Sequence, residues 1–444
     1  MDLTSYKRIL HIALPAIAGL STQMIVSLID TAMVGRLDNA EFALAAMGLG
    51  VLATWALISF FSSFATGTHI YVARAYGSND FKTCSENLNT SIILAITVGI
   101  FVAFIGMTFS YDISDFFAAD DHVGILAGDY LHYRFMGIPF FLITVSYRGF
   151  FFGIGKTKIF MYSGLLVNFL NIIFNYIFIF GGFGIKGMGL AGAGIGSTLA
   201  TMCDSLFYFL ISMRTTYRDK FQFVKHMKFI PSFAYKIIRI SLPVSIQNIF
   251  ILVGFLVFIA ITGLIGIREQ AASQLITSAL FISLMPCFGF GIAAQTLVAN
   301  SIGAKDVVEA KQYGINTSRI AILYTTFVGI IFIVFPDHLL SIITEDDRII
   351  FTAVPALRIA GIGQIFYAVG VVFANGLQAA GNSFFVMVND LISNWIIFLP
   401  LAFVLGVILN FGLIGAWAAL PVYIVIYSFV NFLKFKYGKW NVFV

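Results

Sequence analysis

Val72-Ala73-Arg74-Ala75-Tyr76-Gly77-Ser78-Asn79-Asp80 returns later in the chain as Val298-Ala299-Asn300-Ser301-Ile302-Gly303-Ala304-Lys305-Asp306, a shift of 226 residues. Other pairs keep nearly the same spacing. Leu14-Pro15 returns as Leu242-Pro243, and Arg134-x-x-Gly137 as Arg358-x-x-Gly361. Gly155-Lys156-Thr157 returns as Gly381-Asn382-Ser383, and Gly189-Leu190-x-Gly192-Ala193 as Gly412-Leu413-x-Gly415-Ala416. All shifts lie between 223 and 228, so one unit has been duplicated. Between these landmarks run apolar stretches of about 20 residues with one charge or none, the length that crosses the hydrocarbon core of a bilayer. Two matched membrane bundles suit a machine that rocks around a site held between them.

With 59% hydrophobic and 11% charged residues and a mean hydropathy of +0.95, the 444-residue chain has too little polar surface to cover a water-soluble globule. It reads as an all-α polytopic membrane protein of twelve transmembrane helices in two parallel six-helix repeats. The first half gives helices near residues 13–35, 44–73, 87–110, 126–152, 158–181 and 188–212. The second gives 242–265, 271–301, 313–336, 351–379, 384–407 and 413–436. An even number of spans per half makes both halves enter from the same side, so the repeats are parallel. The expected organisation is an N-terminal lobe over 1–212, a basic linker over 213–241 and a C-terminal lobe over 242–444. No cleavable signal peptide is expected, because the first apolar segment carries Asp30 and lacks a small-residue cleavage site. Cys84, Cys203 and Cys287 have neither metal nor disulfide spacing and read as small apolar residues.

The net charge of +5 raises the question of nucleic acid, and its distribution answers it. With the N-terminus in the cytoplasm, Lys7, Arg8, Arg74, Lys82, Arg148, Lys156, Lys158, Lys305, Lys311, Lys434, Lys436 and the basic linker all fall inside. Only Arg36, Lys186, Arg268 and Arg348 fall outside, with Arg134 and Arg358 near outer helix ends. Positive charge therefore marks topology, both termini are expected in the cytoplasm, and no nucleic-acid partner is expected. The outer pairs Asp120-Asp121 and Asp346-Asp347 raise a different possibility, the magnesium-holding aspartates of an intramembrane prenyl transferase. A duplicated active site on an exposed loop has no converging second acidic motif, so helix caps are the expected role.

An ionisable residue at membrane depth is costly and marks a functional candidate. Asp30, Asp204 and Asp390 are the acids that sit well inside the expected spans. Asp30 lies about 17 residues from the inner start of the first helix and Asn175 about 17 from the inner start of the fifth, so the common rise of about 1.5 Å per residue puts them at one level. Asn171 is one turn below Asn175 on the same face. A carboxylate with two carboxamide oxygens can hold a proton with hydrogen-bonded support, or a small hard cation such as Na⁺. Asn168 is a weaker candidate, because its counterpart Asn394 in the second repeat favours helix pairing. Asp204 and Asp390 are secondary candidates for an inward cavity, and His69 is expected to be structural. The abundant Phe, Met and Tyr suit flat apolar cations through stacking and cation–π attraction.

Leu14-Pro15, Asp30-Thr31-Ala32-Met33-Val34-Gly35-Arg36, the Val72-Ala73-Arg74 helix end, Gly153-Ile154-Gly155-Lys156-Thr157 and Asn171-Ile172-Ile173-Phe174-Asn175-Tyr176 together resemble the multidrug and toxic compound extrusion (MATE) family. The resemblance covers essentially the whole chain. It implies two six-helix lobes, a V-shaped central cavity, and export of organic cations coupled to entry of Na⁺ or H⁺. It also implies that Asp30 is the essential first-helix carboxylate and that Asn171 and Asn175 are its cation-site partners. Two features depart from the pattern: Gln247-Asn248 stands where some branches carry a seventh-helix acid, and Asn175 stands where others carry Asp. The expected protein is thus not an enzyme but a secondary antiporter of the bacterial inner membrane, acting as a monomer on small cationic organic substrates. Its coupling ion would be Na⁺ or H⁺, held in either case by Asp30, Asn171 and Asn175, and it would need no cofactor. A lipid-linked oligosaccharide flippase of the same superfamily is the nearest rival, and would be expected to show arginines clustered inside its cavity.

Overall fold

The computed structural model describes residues 3–37, 40–118 and 120–440. The first repeat contributes α1 (Leu3–Val34), α2 (Ala40–Gly77), α3 (Phe81–Thr108), α4 (Asp121–Met136 and Ile138–Gly153), α5 (Thr157–Phe180) and α6 (Gly189–Ser212). The second contributes α7 (Pro231–Ile265), α8 (Ile267–Gly303), α9 (Val307–Val334), α10 (Asp347–Ala379), α11 (Ser383–Ile408) and α12 (Gly412–Tyr437). Among the described residues, ten helices are long and apolar enough to cross a membrane, and eleven when the bent halves of α4 count as one span. With α1, 32 residues long where about 20 suffice, the twelve expected segments are all helical.

Several helices start earlier than the hydrophobic pattern alone suggests. α7 begins at Pro231 and α3 at Phe81, because backbone hydrogen bonding continues through the polar turns that precede the apolar run. Pro231 suits a first helical position, where its missing N–H costs nothing. α4 bends by 47° between its halves, at Gly137 and just before Pro139. Proline removes a backbone donor and crowds the preceding turn, which accounts for the bend. α8 runs without a break through Pro286.

The repeats share their turns residue by residue. Asn79 and Lys305 both adopt positive φ, at 58° and 63°. Asp80 and Asp306 then cap the next helix, accepting from Thr83 N at 3.0 Å and from Glu309 N at 2.8 Å. Gly155 and Gly381 have φ of 72° and 85°, and Gly189 and Gly412 have φ of 57° and 60°. These left-handed positions suit glycine because it has no Cβ. The outer acids cap helices in the same way: Asp120 accepts from His122 N at 2.9 Å, and Asp346 from Arg348 N at 2.9 Å.

The chain divides into two compact units, one formed by Ala18–Ser245 and the other by Met1–Ile17 with Ile246–Val444. Both divisions fall inside continuous helices, α1 and α7. Within the second of these units, Arg8 Nη1 donates to Tyr313 OH at 3.0 Å and Asn316 Nδ2 to Ser5 Oγ at 3.2 Å, tying the start of α1 to α9. Within the first, the segment after α6 is docked. Asn89 Nδ2 donates to the carbonyls of Phe223 and His226 at 2.8 and 3.0 Å, and Phe221 and Phe223 are buried against Phe150. Each unit has its own apolar core, around Tyr130, Leu131 and Leu142 in one and Phe258, Leu357 and Trp417 in the other. Large side chains such as Phe104 and Leu323 remain more than two-thirds exposed, at 71% and 73%. Such a surface belongs against hydrocarbon rather than water.

Candidate cation-coupling site

α1 and α5 bring Asp30, Asn171 and Asn175 together. Asn175 Nδ2 donates to Asp30 Oδ1 at 2.8 Å and to Asn171 Oδ1 at 3.2 Å. Asn171 Nδ2 in turn donates to Ser197 Oγ at 3.1 Å, on α6. The result is a chain of polar groups running from the carboxylate across two further helices. Asn171 and Asn175 lie four residues apart, nearly one helical turn, so their side chains stack on one face. Both are buried, with 5% and 0% of their surface exposed, while Asp30 is half-buried.

α6 makes room for this arrangement. A Cβ at Gly196 would stand 2.2 Å from Asn175 Oδ1, and one at Gly192 would stand 2.1 Å from the Phe178 carbonyl oxygen. Asn175 Oδ1 itself is buried without a hydrogen-bond partner among the described residues. A buried acceptor left unmade costs about 1–3 kcal/mol. The same oxygen is available to a proton on Asp30 or to a cation beside it, and a half-turn of the amide directs it there. The donor set is all oxygen, which suits H⁺ or a hard monovalent cation and not a soft metal.

The remaining candidates separate from this group. Asn168 makes no hydrogen bond among the described residues. Asp204 Oδ1 accepts from Ser163 Oγ at 2.6 Å, nearer the inner end of α5. Asp390 belongs to the other unit, where Gln247 Nε2 donates to its Oδ2 at 2.7 Å and Tyr423 OH to its Oδ1 at 2.9 Å. A π-helical stretch, Ile392–Phe398, follows Asp390 directly along α11, and Gln247, Asn394 and Trp395 line a narrow cleft beside it. His69 is buried with its ring edge-on to Phe152, 5.7 Å between centroids, a packed position. Ser197, Ser163 and Tyr423 were not legible as site residues, since a serine or tyrosine in an apolar helix carries no periodic signal. Gly196 carries no polar signal of its own, yet the group it packs against is the site.

The MatE family model matches residues 15–177 and again 243–404, once in each repeat. The chain belongs to this family, the multidrug and toxic compound extrusion transporters. It is therefore a multi-pass membrane transporter and not an enzyme, and Asp120 and Asp346 are helix caps rather than metal ligands of a transferase. Among curated relatives, the probable multidrug resistance protein NorM of Thermotoga maritima is 29% identical over 98% of this chain and 93% of its own length. The probable multidrug resistance protein YoeA of Bacillus subtilis is 24% identical over 90% of this chain and 86% of its own. Among solved structures, a MATE protein in complex with MaL6 superposes with a TM-score of 0.90 at 18% identity, covering 97% of this chain and 96% of the other. An outward-facing multidrug resistance MATE transporter gives 0.88 at 20% identity, covering 97% and 95%.

Proposed function

We propose that this MatE transporter is a secondary antiporter that exports small organic cations in exchange for Na⁺ or H⁺, by alternating access. The carrying observation is the Asp30–Asn175–Asn171 chain, a single carboxylate held by carboxamides inside a membrane bundle. When the coupling ion enters from outside, Asp30 is neutralised and its attraction for a cationic substrate is lost, so substrate leaves. When the ion discharges inside, the carboxylate is again available. Relatives named for multidrug resistance support organic molecules as cargo, and the abundance of Phe, Tyr and Met suits flat apolar cations. The positive-inside distribution supports cytoplasmic termini in a bacterial inner membrane, and the protein is taken to act as a monomer.

Ethidium efflux from proteoliposomes tests this reading. An imposed pH gradient or Na⁺ gradient should drive efflux in the wild type and not in Asp30→Asn. Movement of a lipid-linked sugar with no gradient-driven efflux would point instead to a flippase.

A further inference from the structure

Arg134 takes no part in the coupling group described above, yet its surroundings single it out. Its repeat counterpart, Arg358, is exposed, whereas Arg134 lies half-buried in α4 with its Nε sealed from solvent. The counterpart of Asp30 at the first-helix shift of 228 residues is Phe258, packed in the core of its own unit. A withdrawn arginine thus occurs in the repeat that has the acid and not in the one that lacks it. The guanidinium forms no direct ion pair with Asp30 among the described residues, but its turn of α4 is pinned beside the site: Thr198 Oγ1 donates to the Tyr133 carbonyl at 2.7 Å, next to Ser197, which anchors the Asn171–Asn175–Asp30 chain, so the arginine's charge acts on the carboxylate from close by.

Arg134 also faces free space. It lines a cavity of about 30 Å³ with Thr54, Leu131, Gly137 and Thr201, enough for ordered water. Arg134 Nε and Thr54 Oγ1 are both buried there without a well-formed hydrogen bond among the described residues. Gly137 sits at the bend of α4, so the arginine is on the last turn before a break in the helix.

We propose that Arg134 is a tethered counter-charge for Asp30, covering the carboxylate when no coupling ion is bound and withdrawing toward Thr54 when one binds. This rests on the coupling role proposed for Asp30. A bare carboxylate in a membrane bundle is costly, and truncating the arginine that faces it leaves that cost uncompensated. An arginine stays charged at any physiological pH, so it cannot carry the proton itself and acts as a fixed competitor. Competition keeps the ion from binding too tightly and favours its release.

The test is the concentration of the driving ion, whichever of Na⁺ or H⁺ the vesicles respond to, that gives half-maximal ethidium efflux. Removing the competitor in Arg134→Gln should lower it at least about tenfold, the scale on which a neighbouring arginine shifts a carboxylate. Arg134→Lys, which keeps the charge, should stay near wild type. Thr54→Val, which removes the polar group at the withdrawn position, should move it the other way, raising it about threefold by loss of a weak hydrogen bond. Unchanged values in Arg134→Gln, or in Thr54→Val should the arginine variant fail to insert, would overturn the proposal while leaving Asp30 as the coupling group. If Asp30→Asn couples like the wild type, the coupling role falls and the counter-charge falls with it.

Discussion

Gly196 and Asn175 are packed so closely that a Cβ on residue 196 would stand 2.2 Å from Asn175 Oδ1. The position of the amide, and through it the 2.8 Å bond to Asp30, depends on a glycine on the next helix, α6. Gly196→Ala should therefore resemble a site mutation although it touches neither ion nor substrate. Overpacking of this kind costs about 1–3 kcal/mol, and the displaced amide should lower ion-driven efflux about as much as Asn175→Ala does. Equal amounts of purified protein with unequal efflux rates would confirm it. Wild-type efflux in Gly196→Ala would show that the amide can move without consequence.

Asn175 and Asn171 differ in what they hold. Asn175 donates directly to the carboxylate, whereas Asn171 reaches it only through Asn175 and anchors to Ser197. A hydrogen bond to a charged group contributes about 1.5–3 kcal/mol and a neutral one about 0.5–1.5. Because Asn175 steadies the ion-free carboxylate and also offers an oxygen ligand, Asn175→Leu should shift the half-saturating concentration of the driving ion about tenfold, downward if that ion is H⁺ and upward if it is Na⁺, and Ser197→Ala should shift it only a few-fold. Titrating efflux rate against ion concentration for both variants gives the ranking, and a reversed order would remove Asn175 from the site.

The helical spacing of Asn171 and Asn175, and the depth they share with Asp30, were readable in the sequence because they depend on one helix or on counting residues from a membrane face. The duplication was readable too, because the turns that recur need particular backbone angles: Asn79 and Lys305, Gly155 and Gly381 keep the same left-handed φ. Contacts between helices far apart in sequence were not readable. Gln247 looked like a missing acid, yet it donates to Asp390 across 143 residues. Nothing in an apolar run announces which of its faces meets which neighbour, and the early starts of α3 and α7 lie in polar turns that hydropathy passes over.

Asp390 is held by two donors, Gln247 and Tyr423, and is itself buried. Losing one donor to a buried carboxylate is expensive, whatever Asp390 does in transport. Tyr423→Phe should lower the thermal unfolding midpoint in detergent, by about 1.5–3 kcal/mol of lost hydrogen bonding, more than Tyr437→Phe at the exposed end of α12. Equal midpoints would show that water takes over the bond.

The outer aspartates allow a test by substitution in kind. Asn caps a helix about as well as Asp, and Ala loses about 0.5–2 kcal/mol. Asp120→Asn and Asp346→Asn should leave both stability and efflux near wild type, while Asp80→Ala and Asp306→Ala should each lower the unfolding midpoint. Abolished activity in Asp120→Asn would give the outer acids a role that capping does not explain.

The central claim is that coupling ion and substrate compete for one carboxylate, and ethidium binding to purified protein reads this without any membrane gradient. Binding should weaken in the wild type as Na⁺ is raised or pH lowered, by whichever ion couples, and should be weak and insensitive to both in Asp30→Asn. Wild-type ethidium affinity that ignores both ions, or an Asp30→Asn variant that still responds to them, would contradict exchange at Asp30.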